Sequence, residues 1–132
     1  MTKGVILHPN DLPAHKRGNG NKTIPLAGPR IGAGFLNGIT VIAPGSAIPL
    51  HTHNCEESVV VLEGDALAEI DGEQHKLVRH DASWIPADLP HRFINASQTE
   101  PLTILWTYAR PDATRTLVET GETRPVSAEH RR

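Results

Sequence analysis

One cysteine, Cys55, stands among 132 residues, so no disulfide can close within the chain and nothing points to an oxidising compartment. Aromatic residues are scarce, at 4%, and any clustering of them is therefore noticeable. Long apolar runs are missing: the longest purely aliphatic run, 59–62, falls far short of the ~18 residues that suggest a membrane span. The first residues, MTKGVILHPNDLP, offer one lysine and a brief apolar run before His8, too little for a signal-peptide core. Charge of one sign is also lacking. Lys and Arg number 13 against 15 Asp and Glu, for a net −2, and they are scattered, which removes the footprint of a nucleic-acid or anionic-membrane binder. The expectation is a cytoplasmic protein with a small-molecule partner, no nucleic acid and no membrane.

What is present is a β pattern. From Gly38 to Ala109 short β-branched or alternating runs follow one another, each closed by a turn signal, with no amphipathic helix of two or more turns between them. Strands are expected at 39–43, 50–53, 58–63, 66–71, 73–78, 83–85, 91–96 and 102–108. EGD and DGE serve as tight turns, because glycine supplies the positive φ they need. Eight short strands imply an all-β sandwich or small antiparallel barrel.

A chain of this length makes one domain, 1–132, rather than two. Its expected parts are an irregular arm over 1–36, a barrel core over 37–109 and a polar tail over 110–132. The arm, dense in Gly, Pro and Asn, holds one strand, 22–26, which extends a sheet edge of its own subunit or pairs with a neighbouring one. The tail offers a last edge strand at 116–119. Ile39, Val41, Val59, Val61, Leu67 and Ile85 are expected in the core.

The stretch GSAIPLHTHNCEESVVVLEG, 45–64, carries the chemistry. On a strand, positions i and i+2 share a face about 6.5–7 Å apart, so His51 and His53 can both address one ion. With 8 histidines in the chain, about half of one His-x-His pair arises by chance, so the pair alone is equally a polar strand face.

The frame around it is more specific: Gly45, five residues, His51, one, His53, three, Glu57, six, Gly64. A second segment, HDASWIPADLPHRFIN, runs through Pro86, Asp88, His91 and Asn95. Together these resemble the two motifs of the cupin superfamily, with His80 and Asp88 where that pattern has glycines; His and Asp tolerate left-handed backbone comparatively well. The resemblance implies a jelly-roll barrel whose interior carries one divalent transition metal held by His51, His53, Glu57 and His91. It also implies a homodimer paired through sheet edges, to which the N-terminal arm can lend a strand.

Three imidazoles and a carboxylate suit Mn, Fe, Co, Ni, Cu or Zn, whereas a closed structural zinc site more often recruits thiolates. Glu56 competes with Glu57, but only Glu57 leaves six residues to Gly64. Cys55 and Glu56 then belong to the connecting turn, and Asn95 serves the strand end. His75 and His80 are expected to face solvent, while His8, His15 and His130 come into play only if a terminus folds over the barrel mouth. Phe93 shares the face of His91, and Trp106 and Tyr108 share a face of the last core strand, so these three are the candidate substrate-pocket residues. The inferred pocket is mostly apolar, with Arg92 facing outward and no arginine cluster of the kind a phosphosugar calls for.

The expected function is a metal-dependent enzyme of dioxygenase, isomerase or lyase type acting on a small organic metabolite. The alternative is a non-catalytic binding or sensing module. No separate general base stands out in the sequence.

Overall fold

The structure, a computed structural model, describes residues 3–130, with side chains as far as Ala128. Twelve strands are described: β1 (His15–Gly18), β2 (Asn21–Pro25), β3 (Leu36–Ile42), β4 (His51–His53), β5 (Glu57–Glu63), β6 (Ala66–Ile70), β7 (Glu73–Leu77), β8 (Ala82–Ile85), β9 (His91–Asn95), β10 (Leu102–Tyr108), β11 (Thr114–Leu117) and β12 (Thr123–Pro125). Only short 3-10 turns interrupt them among the described residues, at Pro9–Asp11, Pro29–Ile31 and Val126–His130. No helix of the described residues is long and apolar enough to cross a membrane.

The strands form two antiparallel sheets, ordered β1-β2-β3-β10-β5-β8 and β12-β11-β4-β9-β6-β7. Alternation builds the core between them. On β10, Leu102, Ile104, Trp106 and Tyr108 point inward and are buried, while Thr103, Leu105 and Thr107 face out and are half-buried. Phe93, Ile42, Ile85 and Val59 fill the space with almost no exposure. The β6–β7 hairpin turns on Asp71 and Gly72 at φ 49° and 83°, the pair of positive angles that a two-residue I′ turn requires.

All eight core strands expected from the sequence are present within a few residues of their expected ends. Three expected core residues are placed differently: Ile39, Val41 and Leu67 are half-buried on the outer faces. The interior positions of β3 belong instead to Leu36, Gly38, Thr40 and Ile42. The reason is Trp106, whose ring lies so close over Gly38 that a Cβ there would come within 2.5 Å of it. Its indole N–H donates to Thr40 Oγ1 at 2.8 Å. A large inward aromatic thus requires small and polar neighbours where a hydrophobic residue would be expected.

The ends of the chain are more ordered than the sequence suggests. β2 is not an edge strand, because β1 pairs with it in the same chain and β3 flanks its other side. The tail strand begins two positions earlier than expected, and it lies between β4 and β12 rather than at the edge. Val126 is 2% exposed and its amide donates to Ala113 O, drawing the tail across the barrel. The side chain of His130 and residues 131–132 lie outside the described residues.

Candidate metal centre

β4 and β9 pair directly at His51 and His91, and β5 of the opposite sheet begins at Glu57, so two paired strands of one sheet and one strand of the other deliver the candidate ligands to one point. His51, His53, Glu57 and His91 are all buried, and one ligand atom from each lies within 4.8 Å of the others. The imidazole centroids are 4.3 Å apart for His51 and His91, 4.7 Å for His51 and His53, and 5.2 Å for His53 and His91.

Each ring is held from behind. His51 Nδ1 donates to Pro49 O at 2.7 Å, His53 Nδ1 to Thr114 O at 2.9 Å and His91 Nδ1 to Leu89 O at 2.8 Å. A carbonyl can only accept, so the proton sits on Nδ1 and the Nε2 lone pair of each neutral ring is left to face the cluster. This is how metal-ligating histidines are oriented by their surroundings.

The cluster leaves buried polar atoms without a match. His53 Nε2 is buried with no hydrogen-bond partner and lies 3.5 Å from Glu57 Oε1. His91 Nε2 approaches the same oxygen at 2.9 Å. With its Nδ1 proton committed to Leu89, the His91 ring meets that carboxylate lone pair to lone pair unless a proton or a metal ion lies between. Leaving such buried polar atoms unmatched is costly, and a borderline divalent ion satisfies all four donors at once. The residues present therefore fit a transition metal.

Two of the rings are also pushed toward the neutral form. Burial pushes the His51 imidazole well below its ordinary value, helped by the positive potential of His91 and His53. Burial likewise lowers His53, against the raising influence of Glu57. Unfolded, both groups titrate near 6.5. Between the depressed folded values and that value the unfolded chain binds more protons, so stability rises with pH. The metal-free protein is expected to lose stability as pH falls below about 6.5, by up to about 1.4 kcal/mol per pH unit for each proton. Urea unfolding from pH 7.5 to 5 checks this; a flat profile would contradict it.

His51, Glu57 and His91 line a small cavity of about 30 Å³, room for an ion with roughly one or two waters. Phe93, Trp106 and Tyr108 all line it. Tyr108 packs on His53 with centroids 4.5 Å apart, and Trp106 lies 5.1 Å from Tyr108. The sequence suggested a pocket with no arginine cluster, yet Arg17 of β1 and Arg115 of β11 both line the cavity. Arg92 behaves as expected, bonding Glu69 on the outer face. Arg17 sits in the arm read as irregular and Arg115 in the tail read as polar; Arg115 takes its inward side from its pairing with His53, and Arg17, at a bulge of β1, bonds the buried Thr23.

The remaining candidates fall outside the cluster. Glu56 is exposed and accepts a bond from Trp84 Nε1 at 2.8 Å. Cys55 is buried in the turn, and burial pushes its thiol up, away from the reactive thiolate. Asn95 is 2% exposed, and its amide reaches the carbonyls of Ile42, Ala43 and Glu100, a structural clasp at the strand end. His8, His75 and His80 are exposed, and His15 lines a separate apolar groove with Leu7 and Leu26. His80 and Asp88 do take left-handed backbone, at φ 76° and 65°.

A two-sheet antiparallel barrel with a histidine and glutamate cluster inside defines a class, and comparison with known proteins agrees with it. The cupin domain family model matches residues 38–108, more than half of the chain, and the chain belongs to that family. Polyketide synthase CurC of Streptomyces cyaneus is 37% identical over 91 residues, which cover 67% of this chain and 58% of CurC. The chain thus spans little more than half the length of that relative. Among solved structures, a sugar phosphate isomerase of the cupin superfamily from Silicibacter pomeroyi matches with a TM-score of 0.74 at 22% identity, covering 93% of this chain and 88% of that one. The polyketide cyclase RemF from Streptomyces resistomycificus matches with 0.73 at 21% identity, covering 94% of this chain and 86% of its own. At these identities the two structures speak for the jelly-roll fold alone.

Proposed function

We propose that the chain is a metal-dependent enzyme, of dioxygenase, isomerase or lyase type, acting on a small oxygen-bearing organic metabolite. His51, His53, Glu57 and His91 would hold one divalent first-row transition metal. The observation that carries this reading is the set of three imidazoles locked with Nε2 toward one buried carboxylate. A purely structural site would be expected to close on itself, often with thiolates, whereas this cluster opens onto a cavity.

When bound, such a metal supplies Lewis acidity to an oxygen atom of the substrate. The chain's own groups set the conditions around it. Phe93, Trp106 and Ile104 line the cavity with apolar surface that excludes water and strengthens electrostatic interactions inside. Glu57 offsets part of the ion's charge, and the carbonyls of Pro49, Leu89 and Thr114 keep the rings in the ligating tautomer. The likeness to CurC supports a polyketide-type, polyoxygenated compound as the substrate class.

The test is turnover. Metal-loaded protein is to be incubated aerobically and anaerobically with a panel of phenolic, β-diketone and β-keto acid substrates. Metal-dependent conversion of any of them supports an enzyme. Full metal content with no conversion, together with ligand binding that survives EDTA, would favour a non-catalytic binding module instead.

A further inference from the structure

A second hollow lies beside the N-terminal arm, an apolar groove of about 350 Å³. That falls within the ~300–1,000 Å³ of small-molecule sites, whereas the cavity at the candidate metal centre measures about 30 Å³. Leu7, Leu12, Leu26 and Ile31 give the groove its apolar surface. Pro13 and Pro29, also in its lining, have a fixed φ and no amide donor, so its walls are stiff and poor in hydrogen bonds. No carboxylate lines it among the described residues, which makes it a poor receptacle for a cation.

The groove and the metal cavity are neighbours, for on three elements adjacent positions line one and the other. On β1, His15 lines the groove and Arg17 the cavity; in the C-terminal turn, Ser127 lines the groove and Val126 the cavity. Between β3 and β10, Leu36 and Tyr108 are directly paired and so share a face, Leu36 lining the groove and Tyr108 the cavity. Tyr108 packs in turn on His53, with centroids 4.5 Å apart. What separates the two hollows is thus a layer of side chains that includes Leu36 and Val126, 4% and 2% exposed.

We propose that this groove is the subsite for the apolar, fused-ring body of the ligand, whose oxygen-bearing head lies at the candidate metal centre. The position of the head rests on the function proposed above. The cavity alone has room for little more than an ion and its waters, so an organic ligand that reaches the metal has to extend out of it, and the groove is the adjoining apolar space. Stiff walls favour a stiff occupant, because a flat ring system loses little conformational entropy on binding where a flexible chain loses much.

Gly28 marks where the partition yields. It lines the groove in extended backbone, φ −176°, which any residue adopts, so its conformation does not call for glycine. Space does: a Cβ there would come within 2.9 Å of Leu36 Cδ1. The missing side chain leaves Leu36 a place on the groove side, and the body of a ligand passes by turning that flexible side chain rather than by moving a strand.

The test uses alizarin and catechol, which share a catechol head and differ in the fused rings behind it, titrated calorimetrically into full-length protein supplied with metal, with metal content measured in parallel. Wild type is expected to bind alizarin about tenfold more tightly than catechol, or better. Ala27→Phe, which fills the groove from a half-buried lining position, should abolish that preference while leaving catechol affinity and metal content unchanged. A preference that survives in Ala27→Phe overturns the proposal, since it then comes from the head alone. So does a wild type that binds alizarin no better than catechol. If Ala27→Phe does not fold, Ile31→Trp blocks the same groove from the Pro29–Ile31 turn and decides in its place. Protein that takes up no metal yet shows an alizarin preference lost on filling the groove upholds the subsite and counts against the metal reading alone.

Discussion

His91→Ala is expected to weaken metal binding at least a hundredfold while the chain stays folded. His91 is 1% exposed and its Nε2 makes the closest approach to Glu57 in the cluster, 2.9 Å. Disturbing a mere outer partner of a metal ligand already costs about 10–100-fold, so removing a ligand outright should cost more. The fold survives for a separate reason. The ladder that β9 makes with β6 and β4 is backbone pairing, and in the metal-free state the imidazole is a buried polar group facing a carboxylate rather than a packing element. Truncation therefore removes side-chain volume and one polar contact while the backbone ladder stays in place. Elemental analysis and thermal unfolding check the two halves. Wild type should be stabilised by added metal through simple mass action, and His91→Ala should not.

Gly64→Ala is expected to cost the barrel about 3 kcal/mol or more. Gly64 sits at φ 97°, where an L-residue loses about 1–2 kcal/mol. A Cβ there would also meet Pro101 O at 2.6 Å and Leu102 Cα at 3.1 Å. Those are backbone atoms at the entry to β10, which cannot swing aside as a flexible side chain would, and overpacking of this kind adds about 1–3 kcal/mol. Gly72 provides the control. It has a similar φ, 83°, but nothing lies within 4 Å of its missing Cβ, so Gly72→Ala should show only the conformational part. Denaturant midpoints of the two variants separate strain from collision; equal losses would contradict the close approach.

How far the sequence revealed all this depended on which residues carried alternation. The core strands were legible because β-branched runs end at turn residues, and the ligand cluster because two spaced motifs specify one site. β1 and β12 were not, since HKRG and TRP are short and polar and carry no apolar alternation. The inward parity of Ile39, Val41 and Leu67 was misjudged because those strands are apolar on both faces, so alternation could not tell inside from outside. Trp106 decided the matter by demanding Gly38 and Thr40 beneath it, a contact between strands far apart in sequence. Arg115 escaped notice for the same reason, since only its pairing with His53 turns it inward, and Arg17 because it sits at a bulge of a short polar strand.

Whether the four buried donors hold a metal ion is tested most directly by the metal-to-chain ratio of protein purified without a histidine tag. The account predicts close to one equivalent of a first-row transition metal, reduced to a trace in His51→Ala, His53→Ala and His91→Ala. A wild type with no more metal than those variants would contradict it.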